Sequence, residues 1–153
     1  MRLDHTAYRV ADKEEARKFF MECLGYTLQD TFDIEFDDGT SCECYAMTRE
    51  GESEIFVSQG EPGSIVANWV EKHGNGIHHL AYEVANVNNA MAHWEAFGIK
   101  FMSDPITCDD GSLIQVFSQP DPITGIVYEL IQKVGGKGFC KESVKSLMES
   151  TDD

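Results

Sequence analysis

Two histidines stand at the same place in two copies of a short sequence, which is how a shared metal site can arise. The segment His5–Ala11 returns 74 residues later as His79–Ala85, with five of seven positions identical. A repeat at a fixed offset indicates two copies of one supersecondary unit. If the two copies pack face to face, the imidazoles of His5 and His79 converge, and converging imidazoles are common metal ligands.

Glu129 and Glu54 are the carboxylates that could complete such a site. Glu129 lies inside the apolar segment Ile126–Ile131, where an acid is costly to bury unless it is paired or bound to a metal. Glu54 stands at the corresponding end of the first copy, but it follows polar Glu52 and Ser53 and could equally be solvated. The repeat therefore predicts two histidines and two carboxylates around one ion.

The ligand types narrow the choice of metal without fixing it. His78 precedes His79 in the same strand, so the two side chains point to opposite faces, and the repeat selects His79. Two imidazoles with one or two carboxylates suit Fe(II), Mn, Co, Ni or Zn. Open coordination positions would take a chelating substrate, water or O2, and the ion would act as a Lewis acid.

The elements that must position these residues form a β-α-β-β-β pattern twice. Alternation predicts a strand over 3–10, and Asp12 is the expected cap of a helix over 12–23 that stops at Gly25. The other predicted strands are 26–36, 41–48 and 53–59 in the first copy, and 79–84, 99–103, 112–119 and 125–132 in the second. Further helices are predicted over 64–73, 87–97 and 141–149.

Composition predicts one compact domain without a nucleic-acid or membrane partner. The chain has 153 residues, 42% of them hydrophobic, and a formal net charge of −15, whereas phosphate contacts need a basic surface. No apolar run approaches the roughly 20 residues that span a bilayer, and the start has no signal-peptide core. The cysteines are expected to be free thiols in a reducing cytoplasm: Cys23, Cys42, Cys44, Cys108 and Cys140.

The whole chain resembles the vicinal-oxygen-chelate superfamily, which includes glyoxalase I, methylmalonyl-CoA epimerases, dioxygenases and antibiotic-binding proteins. Met1–Thr6 is similar to the opening of glyoxalase I and the epimerases, and Gly76–Leu80 to the strand of the second histidine in epimerases. The resemblance implies an α+β fold with two tandem βαβββ modules that form a curved mixed sheet around a central pocket, plus a short C-terminal helix. It also implies four metal ligands: His5, His79, Glu129 and Glu54.

On this basis the chain is one domain, with module one over about 1–59, a bridge over 60–75, module two over about 76–134 and a C-terminal segment over 135–153. Four further segments carry a more particular likeness: Lys72–Gly76, Leu113–Phe117, Tyr128–Gln132 and Gly138–Lys141. They resemble the 4-hydroxyphenylpyruvate dioxygenase family, and this resemblance implies Gln115 as a substrate contact and Fe(II) as the metal. Unlike that family, the chain has one such domain, and Ser143–Val144 replaces an Asn-Phe pair in the closing helix.

Three functions stay open at this point. The first is a non-haem Fe(II) dioxygenase for a 2-oxo acid, in which Gln115 orients the substrate and residues 135–149 gate the pocket. The second is an epimerase or glyoxalase-like lyase, in which the metal stabilises an enolate and Glu54 moves a proton. The third is a protein that binds a small molecule without catalysis. A homodimer is expected from exposed strand edges and from the habits of the family.

Overall fold

The computed structural model describes residues 1–135 and 140–150, with the side chains of 141–143, 147 and 150 left out. Gly138 and Phe139, which contribute to the resemblance above, lie outside the described residues. The elements are β1 (Arg2–Arg9), α1 (Lys13–Lys18) with a π-helical turn (Phe19–Cys23), β2 (Thr27–Glu35), β3 (Ser41–Thr48), β4 (Glu54–Gly60), α2 (Ile65–His73), β5 (Gly76–Glu83), α3 (Val87–Glu95), β6 (Ile106–Thr107), β7 (Leu113–Phe117), β8 (Val127–Lys133) and α4 (Lys141–Ser150). None of the described helices is long and apolar enough to cross a membrane.

The chain divides into two compact units. One comprises His5–His78, and the other comprises Met1–Asp4 together with the described residues between His79 and Ser150. Each unit contains the elements of one predicted βαβββ copy, so the α+β class and the duplicated pattern are confirmed. We call them the His5 unit and the His79 unit.

The His5 unit orders its strands β2-β3-β4-β1, with β1 parallel to β4 and the other pairs antiparallel. Asp12 caps α1 as predicted, because its carboxylate accepts the N–H groups of Glu14 at 2.9 Å and Glu15 at 3.2 Å. Gly25 adopts a φ of 76°, which lets the chain turn after the π-helical segment.

The two faces of the His5 unit have different compositions. One face packs against α1 and the π-helical turn through an apolar cluster: Phe20, Tyr45, Met47, Ile55 and Val57. Because side chains alternate along strands, the residues between these point to the opposite face. That second face carries His5, Arg9, Cys44, Phe56 and Ser58, all of them buried except half-buried Phe56.

The His79 unit repeats this plan with the order β5-β8-β7-β6 and a parallel β5–β8 pair. Its helix α3 packs on one face through Val87, Val116 and Leu130, which are fully buried. The opposite face carries His79, Gln115 and Glu129. Met1–Asp4 is tied to this unit, since Lys133 Nζ donates to Asp4 Oδ1 at 2.7 Å.

The predicted strand over 99–103 is wrong. Only Phe101 forms an isolated bridge there, with Ser118, and the strand that pairs with β7 is the two-residue β6 further along the chain. The segment between them turns locally, because the Ser103 hydroxyl donates to the Asp104 carbonyl at 2.8 Å and Pro105 has no N–H to pair.

The expectation that all cysteines are free thiols is also wrong. Cys108 and Cys140 form a disulfide across 32 positions of sequence, and both pack with Leu113 and Ile131 in a buried cluster. Cys140 immediately precedes α4, so the disulfide fixes the start of the last helix to the segment before β7. Cys23, Cys42 and Cys44 carry thiols.

Reduction should destabilise the protein measurably. A cross-link that closes a loop of this length removes about 3–4 kcal/mol of chain entropy from the unfolded state. We expect urea unfolding with reductant to give a free energy lower by that amount than unfolding without it. The double variant C108S/C140S should show no effect of reductant, whereas C23S, at an exposed thiol, should behave as the wild type. Equal midpoints for the wild type in both conditions would contradict the structural role of this disulfide.

Candidate metal centre

His79 and Glu129 meet on one face of the His79 unit, as the sequence predicts. His79 lies in β5 and Glu129 in β8, and the two strands are parallel neighbours. His79 Nε2 lies 3.4 Å from Glu129 Oε1, and the two residues are 7% and 2% exposed. The carboxylate of Glu129 and the imidazole of His79 are therefore close together on neighbouring strands, and both are almost inaccessible to solvent.

Gln115 fixes the orientation of this carboxylate. It lies in β7, and its Nε2 donates to Glu129 Oε2 at 2.7 Å. The Gln115 side chain is buried, and its Oε1 has no hydrogen-bond partner among the described residues. The Gln115 amide therefore has one hydrogen bond from its N–H group and one acceptor, Oε1, that can bond to a donor on a bound molecule or to water.

The donor chemistry of this group fits a divalent cation. Burying an ionised carboxylate costs several kcal/mol unless a cation or hydrogen bonds compensate it. Glu129 has one amide donor and one imidazole beside it, and neutral imidazole with carboxylate is a ligand combination that first-row divalent metals accept.

His5 and Glu54 are brought together in the His5 unit. Their Cα atoms are register partners in the parallel pair β1–β4, so their side chains leave the same face of the sheet. His5 is 8% exposed, and its ring meets the Phe56 ring edge-on with centroids 4.7 Å apart. Glu54 is half-buried.

The internal registers correct one step of the sequence argument. In the His79 unit, Ala81 pairs with Glu129, whereas in the His5 unit the equivalent Ala7 pairs with Phe56. The structural counterpart of Glu129 is therefore Phe56, and Glu54 lies two residues earlier, roughly 6.6 Å along the strand. A phenyl ring cannot bind a cation as a carboxylate does, so the two units do not supply matching ligand sets.

His78 points to the face opposite His79, as predicted. It is 4% exposed, so it is buried like its neighbour, and its ring lies edge-on to Trp69 of α2 with centroids 5.6 Å apart. The sequence argument did not identify Phe117, which is the register partner of Glu129 and lies edge-on to His79 at 6.2 Å. Its alternation with Gln115 in Leu113–Phe117 is the sequence signal that would have placed it on this face.

Comparison with known proteins gives the family. Residues 4–114 match the model of the glyoxalase/bleomycin resistance protein/dioxygenase superfamily. The chain belongs to this superfamily. Members typically bind divalent metals, and the relatives of this chain are enzymes of several kinds.

Individual relatives differ in activity and in how much of them the chain covers. Human mitochondrial methylmalonyl-CoA epimerase is 25% identical over an alignment of 142 residues that covers 86% of this chain and 73% of the epimerase. The 4-hydroxyphenylpyruvate dioxygenase of Pseudomonas aeruginosa is 29% identical over an alignment of 114 residues that covers 54% of this chain and 31% of the dioxygenase. A triple mutant of 4-hydroxymandelate synthase from Streptomyces coelicolor superposes with a TM-score of 0.83 at 19% identity, over 99% of this chain and 53% of the synthase.

Loss of the Gln115 donor should weaken the folded state. Gln115→Leu keeps much of the buried volume but leaves Glu129 Oε2 without its hydrogen bond, which costs roughly 1–3 kcal/mol. Urea unfolding of the metal-free protein should show a loss of this size. Gln119→Leu is the matched control, because Gln119 lies two residues after β7 and is exposed. A Gln115→Leu protein as stable as the wild type would show that the bond does not support Glu129.

Proposed function

We propose that this chain is a metal-dependent enzyme that binds one divalent cation, Fe(II) by preference, through His5, His79 and Glu129. We further propose that it oxygenates a small 2-oxo acid in the manner of the 4-hydroxyphenylpyruvate dioxygenases. The observation that carries the proposal is the nearly inaccessible Glu129 carboxylate beside His79 and Gln115. The duplicated sequence around His5 and membership of the superfamily support His5 as the third ligand.

Phe56 favours three protein ligands over four. A second carboxylate at the position equivalent to Glu129 would fill a further coordination site, and Phe56 stands there instead. Two histidines and one carboxylate with open positions are the ligand set of non-haem Fe(II) oxygenases. A bound Fe(II) would supply Lewis acidity and a place for a chelating oxo acid and O2.

The other residues of the two faces have roles in binding and orientation. Gln115 Oε1 accepts a hydrogen bond from a substrate hydroxyl or a water and so orients the bound molecule. Phe56 and Phe32, with ring centroids 6.2 Å apart, give the His5 unit an apolar aromatic surface that excludes water. Glu54 adds a carboxylate on the face of His5, where it can accept a proton.

Metal content tests the ligand set directly. Anaerobic reconstitution should give one Fe(II) per chain in the wild type. Substituting a residue that only orients a metal ligand typically weakens metal affinity by roughly 10–100-fold. Substitution of a ligand itself should weaken the affinity for Fe(II) by more than this, so we expect a larger loss in each of His5→Ala, His79→Ala and Glu129→Gln. His93→Ala and Glu95→Gln are controls at exposed positions of α3. Unchanged affinity in His79→Ala or Glu129→Gln would contradict the proposal, and a protein that never binds a divalent ion would favour a non-catalytic binder.

A second candidate is an epimerase or glyoxalase-like lyase. It is favoured by the register of the parallel pair β1–β4, in which the Glu54 carboxylate leaves the same face of the sheet as His5, and by the match to human methylmalonyl-CoA epimerase across 86% of this chain. In this reaction Glu54 takes a proton from the carbon next to a carbonyl group.

One pair of assays separates the two reactions. If the chain is an oxygenase, the Fe(II) protein consumes O2 in the presence of members of a 2-oxo-acid panel, and Glu54→Gln retains most of this activity. If it is an epimerase or lyase, O2 is not consumed and solvent deuterium enters the α-carbon, in a reaction that Glu54→Gln slows by roughly 100-fold or more. Deuterium exchange without O2 uptake would refute the oxygenase proposal.

We also propose that the chain forms a homodimer. A homodimer is supported by large exposed apolar side chains in the His79 unit, Phe97 at 78% and Ile123 at 90%; light scattering reads its mass. A cytoplasmic location is the sequence expectation, and the Cys108–Cys140 disulfide weighs against it, because disulfides persist in oxidising compartments.

A further inference from the structure

Cys42 and Cys44 form a second group of metal-ligating side chains, within the His5 unit. They are alternate residues of β3, so both leave the same face of the sheet. Their Sγ atoms lie 3.8 Å apart, and the residues are 1% and 2% exposed. Neither is part of the disulfide.

A row of polar groups runs across three strands to this pair. Register aligns Arg9 of β1 with Ser58 of β4, and Ser58 with Cys44 of β3. The Ser58 Oγ lies 3.1 Å from Cys44 Sγ. The pKa of the Cys44 thiol is lowered, first by its hydrogen bond with Cys42 and then, against the effect of burial, by Ser58 and the positive charge of Arg9. The pKa of the Cys42 thiol is raised, first by the same hydrogen bond and then by burial. The surroundings therefore stabilise one thiolate, that of Cys44, with the Cys42 thiol as its hydrogen-bond donor.

The separation of the two sulfurs suits chelation better than a disulfide. Sulfurs in a disulfide are about 2.05 Å apart, and residues two apart in an extended strand have Cα atoms near the upper limit of what that bond can join. A tetrahedral ion with bonds of about 2.3 Å to two thiolates holds its sulfurs roughly 3.8 Å apart. The pair already has this spacing without any movement of the strand.

A surface cavity lies next to Cys42, although Cys42 itself is 1% exposed. The cavity has a volume of about 260 Å³, and its lining includes Cys42, Lys13, Glu43 and Glu61. The two glutamates give the rim negative charge, and such a rim concentrates cations at the entrance. Lys13 is engaged by Glu43 at 2.5 Å, so its charge is partly neutralised.

We propose that Cys42 and Cys44 bind one thiophilic divalent cation, such as Zn²⁺ or Cd²⁺, with Ser58 Oγ as a neighbouring third donor. On binding, the ion gives up water ligands and each thiol gives up its proton to solvent. Two sulfur–metal bonds form in their place. Two thiolates neutralise the charge of the ion, and the nearby guanidinium of Arg9 is then tolerated. This site uses soft sulfur ligands, whereas the His79–Glu129 group offers nitrogen and oxygen.

Cadmium titration of the full chain without reductant tests the proposal. Binding to thiolates produces an ultraviolet sulfur-to-metal charge-transfer band, which imidazole and carboxylate ligands do not. The band should saturate at one ion per chain in the wild type, in Cys23→Ser and in Glu129→Gln. Cys42→Ser and Cys44→Ser should each weaken binding at least tenfold.

Two results would overturn the proposal. One is a band that is absent, or that disappears in Cys23→Ser and persists in the other two cysteine variants. The other comes from cadmium NMR of the wild type alone, which does not require any variant to fold. Our proposal predicts a resonance shifted in the direction of sulfur ligands. A spectrum with only nitrogen- and oxygen-ligated cadmium would mean that the two sulfurs are in simple packing contact.

Discussion

The structure depends on keeping one carboxylate, that of Glu129, inside an apolar strand. Val127, Leu130 and Ile131 around it are buried, and Glu129 itself is 2% exposed. An isolated charge in this place would be unstable by several kcal/mol, so the neighbouring groups must compensate it. Gln115 and His79 are positioned by strand register to do this.

The duplicated units have kept their scaffold and diverged at the positions that carry chemistry. Both retain the histidine and the alanine two residues later, which fix how the first strand meets its parallel neighbour. At the next positions they differ: Phe56 corresponds to Glu129, and Arg9 corresponds to Glu83. One unit therefore supplies a carboxylate, and the other supplies an aromatic ring and a buried guanidinium. In our account this asymmetry leaves coordination positions open for substrate.

Much of the fold could be predicted from the sequence because its signals are local. Asp12, Ser64 and Asn86 cap three of the four helices that the sequence predicted, and Ser41–Thr48 was predicted with its observed bounds. The segment 99–103 was wrongly predicted as a strand. Its apolar residues suggest a strand, whereas Ser103 and Pro105 favour a turn. The Cys108–Cys140 pairing depends on tertiary proximity across 32 positions, which no local pattern reveals.

Two features of the sequence allow the candidate site to be predicted in part: the internal repeat, and the cost of burying a carboxylate in an apolar strand. The repeat identified His5 and His79, and the apolar strand identified Glu129, but sequence symmetry paired Glu129 with Glu54. β1 and β4 are parallel and are separated in sequence by a helix and two other strands, so no local turn fixes their register, and it could be read only from coordinates.

X-ray absorption at the iron edge of the Fe(II)-reconstituted protein tests the central claim most directly, because it counts ligand types around the ion. Our account predicts a first shell of nitrogen and oxygen only, with the outer scattering of two imidazole rings, reduced to one ring in His5→Ala. Sulfur in the first shell, or a spectrum of the wild type without imidazole scattering, would contradict it.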